Sequence, residues 1–125
     1  MQTAYLFDPG SEAMNAIDSL QDLTPGWDSC DAEAPAQRTQ VQAKSFLSYV
    51  ERMLGPAYAS PIVSPTPDGG VALLWRRPNQ PKVQVLFSPS GARYLVYAGR
   101  DVLQRGVVNH YDVLAFEVIK RHVSL

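Results

Sequence analysis

The sequence is poor in the residues that form disulfides, metal sites and membrane spans. Cys30 is the one cysteine of the 125-residue chain, so no internal disulfide can form, which fits a reducing compartment. The two histidines, His110 and His122, are twelve residues apart, which is not the spacing of metal ligands on one helix face. No apolar run approaches the roughly 18 residues that span a membrane, and the N-terminus lacks the basic and apolar regions of a signal peptide. We therefore expect a cytoplasmic protein with no metal and no membrane partner.

Sequence motifs of known catalytic sites are absent as well. The chain has no G-x-S-x-G sequence, no P-loop, no dinucleotide fingerprint and no paired-carboxylate motif. Asp28, Cys30 and His110 are the residues from which a thiolate nucleophile could be assembled. A reactive cysteine needs basic neighbours, and the neighbours of Cys30 include the acids Asp31 and Glu33. We predict that the protein is not an enzyme and has no catalytic residue and no cofactor. An enzyme with a site near Asp28, Cys30 and His110 is the least favoured alternative.

Composition and charge are those of a folded domain with an uneven charge distribution. Hydrophobic residues make up 46% and charged residues 18% of the chain, and the length predicts a single domain over residues 1–125. Residues 1–60 hold eight acids and three bases, whereas residues 61–125 hold four acids and eight bases. We favour attraction between the two halves of one fold, because the bases are spread along the chain. The alternative is a nucleic-acid or polyanion site, whose residues would be Arg76, Arg77, Lys82, Arg93, Arg100 and Arg105.

The periodicity of apolar residues predicts helices first and strands later. Spacings of three and four favour amphipathic helices at about 11–23 and 35–54, with Pro35 at the first position of the second helix. Alternation with a period of two then predicts strands at about 61–64, 70–77, 82–88 and 92–98, with a weaker one at 102–108. A final segment at about 110–123, apolar around most of its circumference, predicts a last helix. The fold class expected is α+β: two N-terminal helices packed on an antiparallel meander of three to five strands, plus a C-terminal helix.

Two loops contain polar residues whose role could be either catalytic or structural. In the turn before Val71, proline sets φ, Asp68 bonds to backbone and glycine accepts a positive φ, so we predict a hairpin turn. No helix is predicted directly after the two glycines, so no helix dipole would favour phosphate binding there. We expect Trp27 to fill the gap between helices and sheet, and Asp28 to bond local N–H groups. The residues assigned to these structural roles are Trp27, Asp28, Pro67, Asp68, Gly69, Gly70 and Trp75.

Two motifs resemble those of a widespread family of small bacterial proteins. The first is L-x-x-L-x-x-G-W-D, which ends at Asp28, and the second is P-T-P-D-G-G-V-x-L-x-W, which ends at Trp75. The family carries G-W-D-G-Y-G-A before a helix, and later P-D-G-G with a strand ending in E-W. This chain has Ser29-Cys30-Asp31 in place of G-Y-G, and Leu74 in place of the glutamate. The resemblance covers roughly residues 13–98 and implies a fold, but no biochemical activity.

One face of the predicted sheet should meet the first two helices, and the opposite face mixes apolar and basic residues. A solvated face should be more polar than this. We favour partial cover of this face by the last helix. Alternatively, the face is an interface to a second copy or to another protein, with Arg76, Lys82 and Arg93 bordering an apolar centre. The interaction candidates are Leu74, Arg76, Lys82, Leu86, Arg93, Leu95 and Tyr97.

These patterns predict a non-enzymatic protein–protein interaction module. It would bind another protein, or a second copy of itself, through the sheet face or the last helix. An antitoxin, immunity or inhibitor role fits a small chain without catalytic motifs. Nucleic-acid or polyanion binding through the basic C-terminal half is the alternative.

Overall fold

Two helices precede a five-stranded antiparallel sheet in the computed structural model, which describes residues 9–54, 60–108 and 121. Helix α1 spans Pro9–Ser19 and continues into a 3-10 turn at Leu20–Asp22, and helix α2 spans Gln37–Leu54. The strands are β1 (Ile62–Thr66), β2 (Gly70–Trp75), β3 (Lys82–Ser88), β4 (Gly91–Ala98) and β5 (Asp101–Val107). The α+β class and the antiparallel sheet predicted from the sequence are therefore confirmed.

The sheet is a meander in which each strand pairs with the next along the chain. Leu73 of β2 lies opposite Val85 of β3, which in turn lies opposite Tyr94 of β4. The pairing of β4 with β5 shifts between Val96 and Tyr97. Such a shift is typical of a β-bulge and bends the edge strand locally. The short turns between strands allow this order, because antiparallel neighbours need only a few connecting residues.

The hydrophobic core lies between the two helices and one face of the sheet, called the inner face here. Alternate residues of β2, β3 and β4 are buried on this face, because successive side chains of a strand point to opposite sides. Phe46 of α2 packs against Phe87 of β3 with ring centroids 5.6 Å apart. The buried members of the inner face are Val71, Leu73, Trp75, Val83, Val85, Phe87, Tyr94 and Val96.

The predicted C-terminal helix requires a correction to the fold class. Within residues 9–54 and 60–108 the two α-helices both lie before the sheet, and no C-terminal helix belongs to the described fold. The range predicted for that helix, about 110–123, lies outside the described residues except for Arg121. Apolar periodicity alone was the ground for that prediction, and it does not establish that an element packs onto the rest of a fold.

The turn at Pro67–Gly69 is fastened to the segment that leads into α2. The Glu33 amide donates to the Pro67 carbonyl at 2.8 Å, and the Ala36 amide donates to the Gly69 carbonyl at 2.9 Å. The buried Thr39 hydroxyl lies 2.9 Å from the same Gly69 carbonyl. These bonds join the first turn of a helix to a hairpin thirty residues later in the chain.

The second helix begins after Pro35, at Gln37. We expected Pro35 at the first helical position. The Gln40 amide donates to the Ala36 carbonyl at 3.1 Å, so Ala36 is the N-cap and Gln37 is the first helical residue. Pro35 is buried, and its carbonyl accepts a bond from the Gln40 side chain at 3.2 Å.

Neither helix of the described residues combines the length and the apolar character that crossing a membrane requires.

Candidate interaction surface

The face of the sheet opposite the helices, called the outer face here, carries side chains from all five strands. Its central row runs Ile62, Leu74, Gln84, Leu95 and Arg105 across directly paired positions. The adjacent row is Ser64, Ala72, Leu86, Arg93 and Val107. A third row consists of Lys82, Tyr97 and Val102. The Cβ atoms of directly paired residues lie about 5 Å apart, so the side chains of each row are neighbours across the sheet.

Apolar side chains form the centre of the outer face. Leu74, Leu86 and Leu95 lie on the three central strands of the sheet and are half-buried. Ile62 of β1 is 49% exposed and Val107 of β5 is 60% exposed. These five residues, called the apolar strip here, are direct or diagonal neighbours from one edge of the sheet to the other and lie among polar members of the same rows. A sheet face that met only water would alternate towards polar residues. An exposed apolar strip of this kind is typical of a surface that binds another molecule.

Three basic side chains flank the apolar strip, one on each of β3, β4 and β5. The strands contain three bases, Lys82, Arg93 and Arg105, and one acid, Asp101. Arg93 and Arg105 are exposed, and neither forms an ion pair or hydrogen bond with another described residue. The Lys82 ammonium lies 5.9 Å from the centroid of the Tyr97 ring, directly across from it on β4. The outer face therefore has an apolar centre and a positive border.

The structure brings six of the seven predicted interaction residues together on the outer face. The seventh, Arg76, follows the last residue of β2 and is exposed at the end of the sheet. Sequence reasoning missed Ile62, Val102 and Val107 as members of the same surface. The strand register places them there, and a short edge strand has too few alternating residues to reveal its register.

A cleft of about 930 Å³ adjoins the outer face at one end of the sheet. It lies between the first half of α2 and the ends of β3, β4 and β5. Leu86, Arg93 and Val107 belong both to the outer face and to the lining of the cleft. Sequence periodicity does not reveal the cleft, because it depends on how far α2 extends across the sheet.

Local hydrogen bonds stabilise the Trp27–Asp31 loop. The Asp28 carboxylate accepts from the amides of Cys30 at 2.9 Å and Ala32 at 3.3 Å. The Trp27 indole donates to the Glu33 carbonyl at 2.8 Å, and its side chain is half-buried outside the hydrophobic core. Trp27 therefore closes this loop rather than filling the gap between helices and sheet.

Cys30 lies in this loop with its side chain exposed. His110, the partner considered for a thiolate site, lies outside the described residues. No group of three or more acidic, histidine or cysteine side chains suited to a metal ion occurs in the described part of the chain.

No protein-family model, curated protein or solved structure matches this chain. The family resemblance of its two motifs therefore stays a prediction.

Proposed function

We propose that this protein is a non-enzymatic interaction module that binds another protein through its outer face. The observation that carries the proposal is the apolar strip from Ile62 to Val107, which crosses all five strands and has bases at its border. Interfaces commonly have this arrangement of an apolar centre within a polar rim. The antitoxin, immunity or inhibitor type remains our suggestion from the size of the chain.

The charge of the outer face favours a different, acidic protein over a second copy. Two identical faces brought together would each carry the three bases Lys82, Arg93 and Arg105 from the strands. Like charges placed together at an interface cost free energy, whereas acids on the partner would pair with the bases. A partner with carboxylates around an apolar centre is therefore the better complement.

Charged substitutions on the outer face test this proposal. Affinity capture from the native host, read by mass spectrometry, would name the partner, and calorimetry with the purified pair would follow. We expect Leu95→Asp to weaken binding by about 2 kcal/mol or more, as expected for a residue at the centre of an interface. Arg105→Glu, at an exposed position, should slow association and leave folding intact.

Met53 provides a matched control, because it is an apolar residue on α2, 56% exposed and away from the outer face. Met53→Asp should bind the partner as the wild type does. Equal affinities for wild type, Leu95→Asp and Arg105→Glu would contradict the proposal. If sedimentation shows a dimer of the wild type that Leu95→Asp dissociates, the outer face is still the interface, but a second copy of this chain occupies it.

A second candidate function, polyanion binding, is favoured by one end of the sheet. The β2–β3 and β4–β5 connections emerge at the same end of a meander, which brings Arg76 and Arg100 to the end where Lys82 begins β3. Binding to RNA or heparin through these residues should weaken steeply with salt. No retention on heparin at low salt would exclude this candidate.

A further inference from the structure

The cleft beside the outer face is concave, in contrast to the sheet surface next to it. Its volume of about 930 Å³ lies within the range of roughly 300–1,000 Å³ that is typical of small-molecule sites. Its walls come from α2 on one side, and from the β1–β2 turn and the ends of β3, β4 and β5 on the other. A small ligand could therefore contact both layers of the fold at once.

Apolar and aromatic side chains form the inner part of the cleft. Phe46 of α2 and Phe87 of β3, which pack against each other with an interplanar angle of 56°, both line it. Val108 is buried beside them, and Val41 at the entrance is 55% exposed. This lining suits a hydrocarbon chain or an aromatic ring.

Two arginines from different layers line the same cleft. Arg38 comes from the first turn of α2 and Arg93 from β4. Both are exposed, and neither forms an ion pair or hydrogen bond within the described residues. Among the described residues of the lining, the one acid is Asp68, which accepts a hydrogen bond from the Thr66 hydroxyl. The described lining therefore has a formal charge of +1, from two arginines and one aspartate.

The position of Arg38 is unfavourable for the helix itself. The first turn of α2 has no acid, and Arg38 places a cation where the helix dipole favours an anion. A cation there lowers helix stability by a few tenths of a kcal/mol. The stability of α2 therefore does not explain Arg38, whereas an anion bound beside it would be favoured by both the guanidinium and the dipole.

We propose that the cleft binds a small organic carboxylate with an apolar body. The carboxylate pairs with Arg38 and Arg93, and the apolar body lies against Phe46 and Phe87. This inference goes beyond the proposed partner binding, since Arg38, Phe46 and Phe87 are not part of the outer face. Arg93 belongs to both surfaces, so Arg38 is the residue that tests the cleft alone.

Fluorescence titration of the full chain with the aromatic sulfonate anilinonaphthalene sulfonate tests the proposal, with laurate as the competing carboxylate. We expect saturable binding at one site and displacement by laurate. Arg38→Gln should weaken binding of both anions about tenfold, as for loss of a hydrogen bond to a charged group. The uncharged probe N-phenyl-1-naphthylamine should bind wild type and Arg38→Gln equally.

Matched variants distinguish the cleft from other surfaces. Arg52→Gln removes an exposed arginine from the last turn of α2 and should bind as wild type does. Leu95→Asp, which tests the proposed partner interface, should also leave probe binding unchanged. The thermal midpoint of Arg38→Gln should equal or exceed that of wild type, so that lost binding does not reflect unfolding.

Three results would overturn the proposal: no saturable binding, equal affinity of wild type and Arg38→Gln, or displacement by sulfate as effective as by laurate. Loss of probe binding in Leu95→Asp with retention in Arg38→Gln would place the probe on the outer face and also overturn it. None of these results bears on partner binding, which is measured separately with Leu95→Asp.

Discussion

Gly70 lies where the start of β2 approaches β3 too closely for a side chain. A Cβ at this position would overlap the Phe87 carbonyl oxygen and lie 2.5 Å from the Thr66 hydroxyl oxygen. The preceding Gly69 has a positive φ of 85°, a conformation that glycine adopts without steric cost. The two adjacent glycines are therefore needed for different reasons, one for space and one for backbone conformation.

Substitution of Gly70 by alanine should destabilise the protein by about 3 kcal/mol, because backbone atoms have to move to relieve the overlap. Gly99 is the control, since its φ is +60° and a Cβ there would meet no atom within 4 Å. Gly99→Ala should cost only about 1 kcal/mol, from backbone conformation alone. Urea denaturation with unchanged m-values measures both, and equal losses would contradict the steric explanation.

At the scale of elements, the contact between α2 and the β1–β2 hairpin joins the two layers at one end of the fold. The Gly69 carbonyl accepts from the Ala36 amide, and the Thr39 hydroxyl lies within hydrogen-bond distance of both the Gly69 and the Ala36 carbonyls. The same hairpin end contributes Thr66, Pro67 and Asp68 to the wall of the cleft. The geometry of the cleft therefore depends on this contact.

Thr39→Val should weaken the contact between α2 and the hairpin. The substitution keeps the shape of a fully buried side chain but removes its hydroxyl, and we expect a loss of about 1 kcal/mol. The loss is modest because the Gly69 carbonyl keeps its bond to Ala36. Hydrogen exchange should show faster exchange of the Ala36 amide in Thr39→Val than in Thr39→Ser, which retains the hydroxyl. Unchanged Ala36 exchange in the valine variant would disprove this coupling.

At the scale of the whole molecule, charge should affect binding more than folding. The ion pair between Lys44 and Asp18, at 2.7 Å, joins α2 to α1, but the two side chains are 40% and 52% exposed to solvent. Exposed pairs of this kind contribute about 0–1 kcal/mol. The bases of the outer face, in contrast, would attract the proposed acidic partner before contact.

Raising the salt concentration should therefore change the unfolding free energy by less than about 1 kcal/mol while slowing association with the partner severalfold. Stopped-flow binding and urea denaturation at matched salt concentrations measure the two effects. The association rate of Arg105→Glu should depend less on salt than that of wild type. A salt-independent association rate in the wild type would remove the electrostatic part of the proposed function.

The candidate surface was partly predictable from the sequence. Alternation along β2, β3 and β4 placed Leu74, Leu86 and Leu95 on one face, because the period of a strand assigns each residue to a side. It did not place Ile62 and Val107 beside them, since neighbours across strands depend on register. The role of Trp27 was also misjudged, because a tryptophan in a loop can bury its ring in the core or bond its indole to local backbone.

The sequence by itself determined that two helices precede an antiparallel sheet, and it determined the turn at Gly69 and Gly70, because these depend on periodicity and on local backbone conformation. Only the tertiary structure decided that Arg38 and Arg93, 55 residues apart in the chain, line one cleft. This depends on how elements distant in the chain pack against one another, and that packing cannot be read from local sequence patterns.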